Sequence, residues 1–162
     1  MRETIFDILT HSYGDRLVEG RVVDLFAGSG ALAFEAISRG ATFALLVDDG
    51  AEARALLRAN VADLALGGVT RIWRTDAAKL GKAPAGPPFT LAFLDPPYDR
   101  GLAVPALAGL VAGNWLAPGA VCVVEESAKA QLSPPPGLTI LDSRVYGDTK
   151  LILLEASTKA PP

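Results

Sequence analysis

Short apolar, β-rich runs alternate with amphipathic stretches along nearly the whole chain, and this alternation limits the fold more than any other feature. Arg2 to His11 reads as a helix with Ile5, Ile8 and Leu9 on one face. Arg21 to Phe26 reads as a first strand, and Ala31 to Ser38 as a helix stopped by Gly40. Phe43 to Val47 is a second strand. Ala51 to Leu66 is a helix with Leu57, Val61 and Leu64 at core spacing, Arg54 and Arg58 on a wetter face, and Gly67-Gly68 at its end. Val69 to Arg74 and Phe89 to Leu94 are the third and fourth strands, parted by a Pro- and Gly-rich loop from Lys82 to Pro88. Leu102 to Ala112 is helical, and Pro118-Gly119 is expected to turn the chain into a fifth strand through Glu125. Beyond the loop Ser133-Pro134-Pro135-Pro136-Gly137, Leu138 to Val145 and Lys150 to Glu155 flank Tyr146-Gly147-Asp148 as an antiparallel hairpin. Such a pattern predicts an α/β fold, a mainly parallel sheet with helices on both faces.

The bulk numbers narrow the class. The 162 residues suit one domain, expected over 1–157, with a frayed tail from Thr158 to Pro162. Half the residues are apolar and 20% are charged, as in ordinary globular proteins. No apolar run approaches the roughly 18 residues of a membrane span, and Met1-Arg2-Glu3-Thr4 lacks a signal-peptide pattern. The expected location is the cytoplasm and the default state a monomer. One cysteine and one histidine exclude an internal disulfide and argue against a Cys/His metal cage, so no metal site is expected. Cys122 reads as a small buried apolar residue. The net charge of −3 argues against a strong free-standing nucleic-acid binder but permits a local basic face.

Asp24-Leu25-Phe26-Ala27-Gly28-Ser29-Gly30 follows the first strand and opens a helix. Glycines there let a ligand approach the backbone, and the helix start offers free N–H groups. The third glycine of the dinucleotide fingerprint is missing, because Ala31-Leu32-Ala33 follows Gly30. Asp48 ends the second strand 18 residues after Gly30, near the spacing of an acid that holds a ribose diol. Its neighbour Asp49 could do the same, or cap the next helix. Asp76, after the third strand, could accept from an adenine amino group or cap its own turn. A glycine loop, a ribose acid and an adenine partner at one sheet edge match a nucleoside cofactor. Asp24 beside the loop favours one with an amino-acid ammonium group, which S-adenosylmethionine carries.

Asp95-Pro96-Pro97-Tyr98 arrives at the end of the fourth strand, at the edge where open α/β sheets bind ligands. An aromatic base amine is a poor nucleophile and must be held by acceptors. Asp95 offers a carboxylate, Pro96 a carbonyl without a competing N–H, Pro97 a fixed φ, and Tyr98 a face for stacking a base. Catalysis of this kind rests on positioning, with the cofactor supplying the reactive group. The bland alternative is an ordinary strand-to-loop turn, which the ordered glycine loop and Asp48 disfavour.

With these segments together the chain resembles the class I S-adenosylmethionine-dependent methyltransferases. More closely it resembles the RsmD-type small-subunit ribosomal RNA guanine-N2 methyltransferases. The likeness rests on Arg2 to Leu9, Asp24 to Gly30, Phe93 to Tyr98 and Tyr146-Gly147-Asp148-Thr149-Lys150-Leu151, in order. It implies a Rossmann-like, seven-stranded sheet with an antiparallel hairpin strand. It implies that Asp24, Phe26, Gly28 and Gly30 lie against the cofactor, Asp48 holds its ribose and Asp76 its adenine. Asp95, Pro96, Pro97 and Tyr98 would hold a guanine of 16S ribosomal RNA, flipped or already unpaired, in naked RNA or in an assembling small subunit. Family members also carry a basic arm, rich in Arg and Gly, before the Arg-Glu-Thr segment. The sequence given starts at Met1-Arg2, so the expectation is a chain that keeps the cofactor fold and binds RNA weakly.

Candidate phosphate contacts are Arg100, Lys129, Arg144 and Lys150, though each reads first as a solvated surface charge. His11 is read as non-catalytic, and Trp73 and Trp115 as packing residues. The competing functions are an adenine-N6 methyltransferase with the same motif, a dinucleotide-dependent oxidoreductase, which the short glycine pattern opposes, and a non-catalytic binding domain.

Overall fold

The computed structural model describes residues 1–158; of the tail expected to fray, all but Thr158 lies outside the described residues. Seven strands form one sheet: β1 (Arg21–Asp24), β2 (Phe43–Val47), β3 (Thr70–Trp73), β4 (Phe89–Leu94), β5 (Leu116–Ser127), β6 (Leu138–Tyr146) and β7 (Thr149–Ala156). Their order is β3-β2-β1-β4-β5-β7-β6. The first five strands run parallel, and β7 is antiparallel to both of its neighbours. Helices α1 (Arg2–Ser12), α2 (Gly14–Leu17), α3 (Ala31–Ser38), α4 (Ala51–Asp63) and α5 (Ala103–Ala112) pack against the sheet. A short 3-10 turn, Ala77–Lys79, follows β3.

Strands β1, β2, β4, β5 and β7 are buried on both faces along most of their length, which is why they read as apolar runs, whereas the edge strand β6 is mostly exposed. Val22, Leu46, Leu91, Phe93, Val121 and Leu153 point to the face covered by α1, α3 and Leu57 of α4. Val23, Leu45, Ala92, Leu94, Val124 and Leu154 point to the face covered by α5. No helix among the described residues is long and apolar enough to cross a membrane. Cys122 is fully buried, and burial pushes its thiol up to about 12. Trp115 is fully buried, packs edge-on to Trp73 at 5.6 Å and donates to the Gly81 carbonyl.

Two local expectations are corrected. Leu64 is 54% exposed, because α4 ends at Asp63 and Leu64 sits beyond the last turn as its C-cap. Pro118-Gly119 does not precede β5 but lies inside it, where the register with β4 slips between Phe89 and Leu91. The slip is a bulge, and Gly119 takes the left-handed φ of +79° that such a kink needs.

Thr90 pins the start of β1 to β4. Its hydroxyl accepts from the Arg21 N–H at 3.0 Å and donates to the Arg16 carbonyl at 2.8 Å. Thr90→Val keeps the shape and leaves those two backbone groups without a partner. The expected loss is about 1–3 kcal/mol, read as a lower urea midpoint with unchanged slope.

Candidate active site

Strand order reverses between β1 and β4, since the chain runs outward to β3 on one side and to β5 on the other. The carboxyl ends of the two central strands therefore open a crevice, the usual ligand position in such sheets. Asp24 closes β1 and Asp95 follows β4.

Asp24 is only 2% exposed, and its Oδ1 has no hydrogen-bond partner. Burial pushes its carboxyl up to about 7; the Phe26 N–H opposes this, while the charges of Asp95 and Asp48 add to it. The loop after it turns at Gly30, whose φ is +85°. A side chain there would collide with the Phe34 ring and Leu57, so the loop cannot close over any other residue. Asp48 ties this loop to the end of β2: Gly28 N–H donates to its Oδ2 at 3.1 Å and Gly50 N–H to its Oδ1 at 2.9 Å. Asp49 does not cap α4, whose N-cap is Gly50 with no side-chain bond. Asp76 does cap its own turn, accepting from Ala78 N–H at 2.9 Å. A cavity of about 180 Å³ gathers Phe26, Asp48, Asp49, Asp76, Pro97 and Arg100. A larger cavity, about 430 Å³, lies at the opposite edge beside Phe89 and Trp115 and has no acid in its lining.

The turn after β4 lies across the mouth of this crevice. Pro96 is buried, while Asp95, Pro97 and Tyr98 are exposed at the edge. Tyr98 shares a 3.0 Å hydrogen bond with the Thr149 hydroxyl at the tip of the β6–β7 hairpin. This bond links the two segments that are far apart in sequence and both carried the family likeness. Asp99 holds a φ of +62°, a conformation that side-chain-bearing residues rarely adopt.

One site residue has no local sequence signal. Leu94 pairs with Val124, so Asp95 and Glu125 emerge side by side from adjacent strands. The register sets their carboxyls next to each other, and two carboxyls so placed can hydrogen-bond only with a proton on one of them. Burial, then the charge and hydrogen bond of Asp95, push Glu125 up to about 7. Burial also raises Asp95. Glu126 points the other way along the pleat, is 7% exposed and leaves Oε1 without a partner. Only the position of the Glu125-Glu126 pair, at a strand's carboxyl end, could have drawn attention to it.

The four basic candidates separate. Lys150 Nζ donates to the Ala130 carbonyl at 2.7 Å, and Arg144 Nε is bound to Asp142 at 2.7 Å. Arg100 and Lys129 are exposed, and Arg100 faces the cavity. His11 is exposed in the last turn of α1.

Residues 1–155 match the family described as conserved hypothetical protein 95. The chain is 29% identical to the ribosomal RNA small subunit methyltransferase D of Buchnera aphidicola, over 98% of this chain and 80% of that protein. It is 30% identical to the protein of that name from Haemophilus influenzae, over 91% of this chain and 75% of the relative. A solved structure of a conserved hypothetical protein from Streptococcus pyogenes superposes with a TM-score of 0.80. It is 31% identical, with 97% of this chain and 96% of that one covered. The chain belongs to the conserved hypothetical protein 95 family, the family of the RsmD-type methyltransferases.

Proposed function

We propose that this protein transfers a methyl group from S-adenosylmethionine to the exocyclic N2 amine of a guanine in 16S ribosomal RNA. The observation that carries the reading is the meeting of the cofactor-side and base-side residues at one crevice. Asp24, with its unpartnered buried oxygen, stands within electrostatic reach of Asp95, the acid of the Asp-Pro-Pro-Tyr turn.

The donor set fits the cofactor. Asp24 offers a buried acceptor for an ammonium group, and Phe26, Asp48 and Asp76 line the cavity beside it. Both Asp48 oxygens already accept one backbone N–H, and each keeps a second lone pair for a ribose hydroxyl. Asp76 likewise keeps an oxygen free of the turn it caps for an adenine amino group. When bound, the cofactor supplies an electrophilic methyl group. Asp95 and the Pro96 carbonyl accept from the target amine and aim its nitrogen lone pair. Tyr98 stacks on the base, its ring orientation fixed by the bond to Thr149. Arg100 supplies a phosphate contact at the rim. The names of the relatives support the RNA of the small ribosomal subunit as the substrate.

The deciding experiment incubates the protein with immature small ribosomal subunits and isotope-labelled cofactor, then digests the RNA for mass spectrometry. Labelled N2-methylguanine is the expected product. Labelled N6-methyladenine would move the assignment to adenine, which the Asp-Pro-Pro-Tyr turn alone also fits.

A further inference from the structure

We propose that Glu125 is a positioning residue: protonated, it donates a hydrogen bond to one oxygen of Asp95 and so turns the other oxygen toward the target amine. The proposal rests on the methyl-transfer reading above. Its geometric basis is the register of β4 and β5, which sets the two acids side by side at the carboxyl edge. Both belong to the pleat series of Val22, Phe93 and Val123, on the face covered by α1. Two ionised carboxylates in contact repel, so a hydrogen bond between them exists only with one proton shared.

The surroundings favour that shared proton. Asp95 stands beside Glu125 from β4, Leu151 stands opposite Glu125 on β7, and the charge of the Met1 amino group acts on Glu125 from the start of α1. The amino group favours ionisation of Glu125, but burial and Asp95 outweigh it. On the Asp95 side, the charge also acts on Asp24 and Glu126, both themselves held up by burial. The edge is therefore crowded with acids, and an unanchored Asp95 has every reason to swing toward solvent. An anchored one presents a fixed acceptor. The gain is one of orientation, which is worth most when the reacting group is a weak nucleophile.

The test compares E125Q and E125A in transfer to immature small subunits. Glutamine still donates an N–H to Asp95 but cannot ionise; alanine does neither. E125A should lower kcat by about 10- to 100-fold with KM nearly unchanged, and E125Q should lose only a few-fold. In the wild type, kcat should fall on the alkaline side as Glu125 ionises, and in E125Q that fall should disappear. Equal kcat in E125A and wild type overturns the proposal, as does an E125Q variant as weak as E125A. A second readout does not depend on transfer: carbon-13 NMR titration of the Asp and Glu carboxyls. Wild type should show two carboxyls titrating as a pair, and E125Q should leave Asp95 with a single, uncoupled titration. If the pair is absent the proposal fails, whatever the activity. If the pair is present but no base is methylated, the methyl-transfer reading fails instead.

Discussion

Asp95→Ala is expected to lower methyl transfer by about 100- to 1000-fold, the usual cost of losing an acceptor or donor that is aimed at the reacting group. Affinity for S-adenosylhomocysteine, measured by calorimetry, should stay within about threefold of wild type, because the proposed role of Asp95 is toward the base and not the cofactor. The fold should survive, since Asp95 is exposed at the edge of the sheet. Removing Asp95 also takes a negative charge away from Glu125 and Asp24, both of which it holds up. Their titrations should move down toward ordinary carboxylate values. Full transfer by the Asp95→Ala enzyme would show that the amine is held by other groups, with the Pro96 carbonyl the first to test.

Asp24→Asn should weaken cofactor binding by about 30- to 100-fold, the range for losing one charge-assisted hydrogen bond in a buried site. The same change should make the unliganded protein less sensitive to pH. Burial raises the Asp24 carboxyl from 3.8 to about 7, so the fold tolerates the protonated form and resists the ionised one. Stability from this group is therefore present below about pH 4 and is lost as pH rises through 7. The loss amounts to at most roughly 4 kcal/mol. Asp95, Glu125 and Glu126 are raised as well and act with the same sign. Urea midpoints at pH 5 and pH 8 should thus differ in wild type and differ less in Asp24→Asn. S-adenosylhomocysteine should restore the midpoint of wild type at pH 8 and do little for the variant. Identical pH dependence in the two proteins would mean that Asp24 is not the destabilising acid.

This arrangement places the cost of the site in the empty protein. An ionised, half-satisfied carboxylate under the glycine loop is unfavourable until a cation meets it. The site is then set for a ligand that brings a positive group of its own. Taking that group in should release a proton from Asp24 at pH values below about 7.

Much of the fold was legible residue by residue. Helix α3 and strands β2 and β4 fall on the limits read from the sequence, because each is bounded by strong local punctuation such as Gly30, Gly40 and the 82–88 loop. Departures from the sequence reading have both long-range and local causes. Pro118-Gly119 looks like a turn, yet pairing with β4 and β7 carries the strand through it. Leu64 keeps helical spacing with Leu57 and Val61, but the helix has already ended. Lys150 and Arg144 looked free, and both are occupied by neighbours.

By itself the sequence determined the alternating α/β architecture, the closing hairpin, and the two motifs that end β1 and β4. Those properties depend on periodicity and turn chemistry, which act over a few residues. Only the tertiary structure decided which carboxylates meet. Asp24, Asp95 and Glu125 lie far apart along the chain, and the order β1-β4-β5 puts them on neighbouring strand ends. The raised proton affinities of Asp24 and Glu125 follow from burial beneath elements contributed by other parts of the chain, a desolvation that no short stretch of sequence encodes.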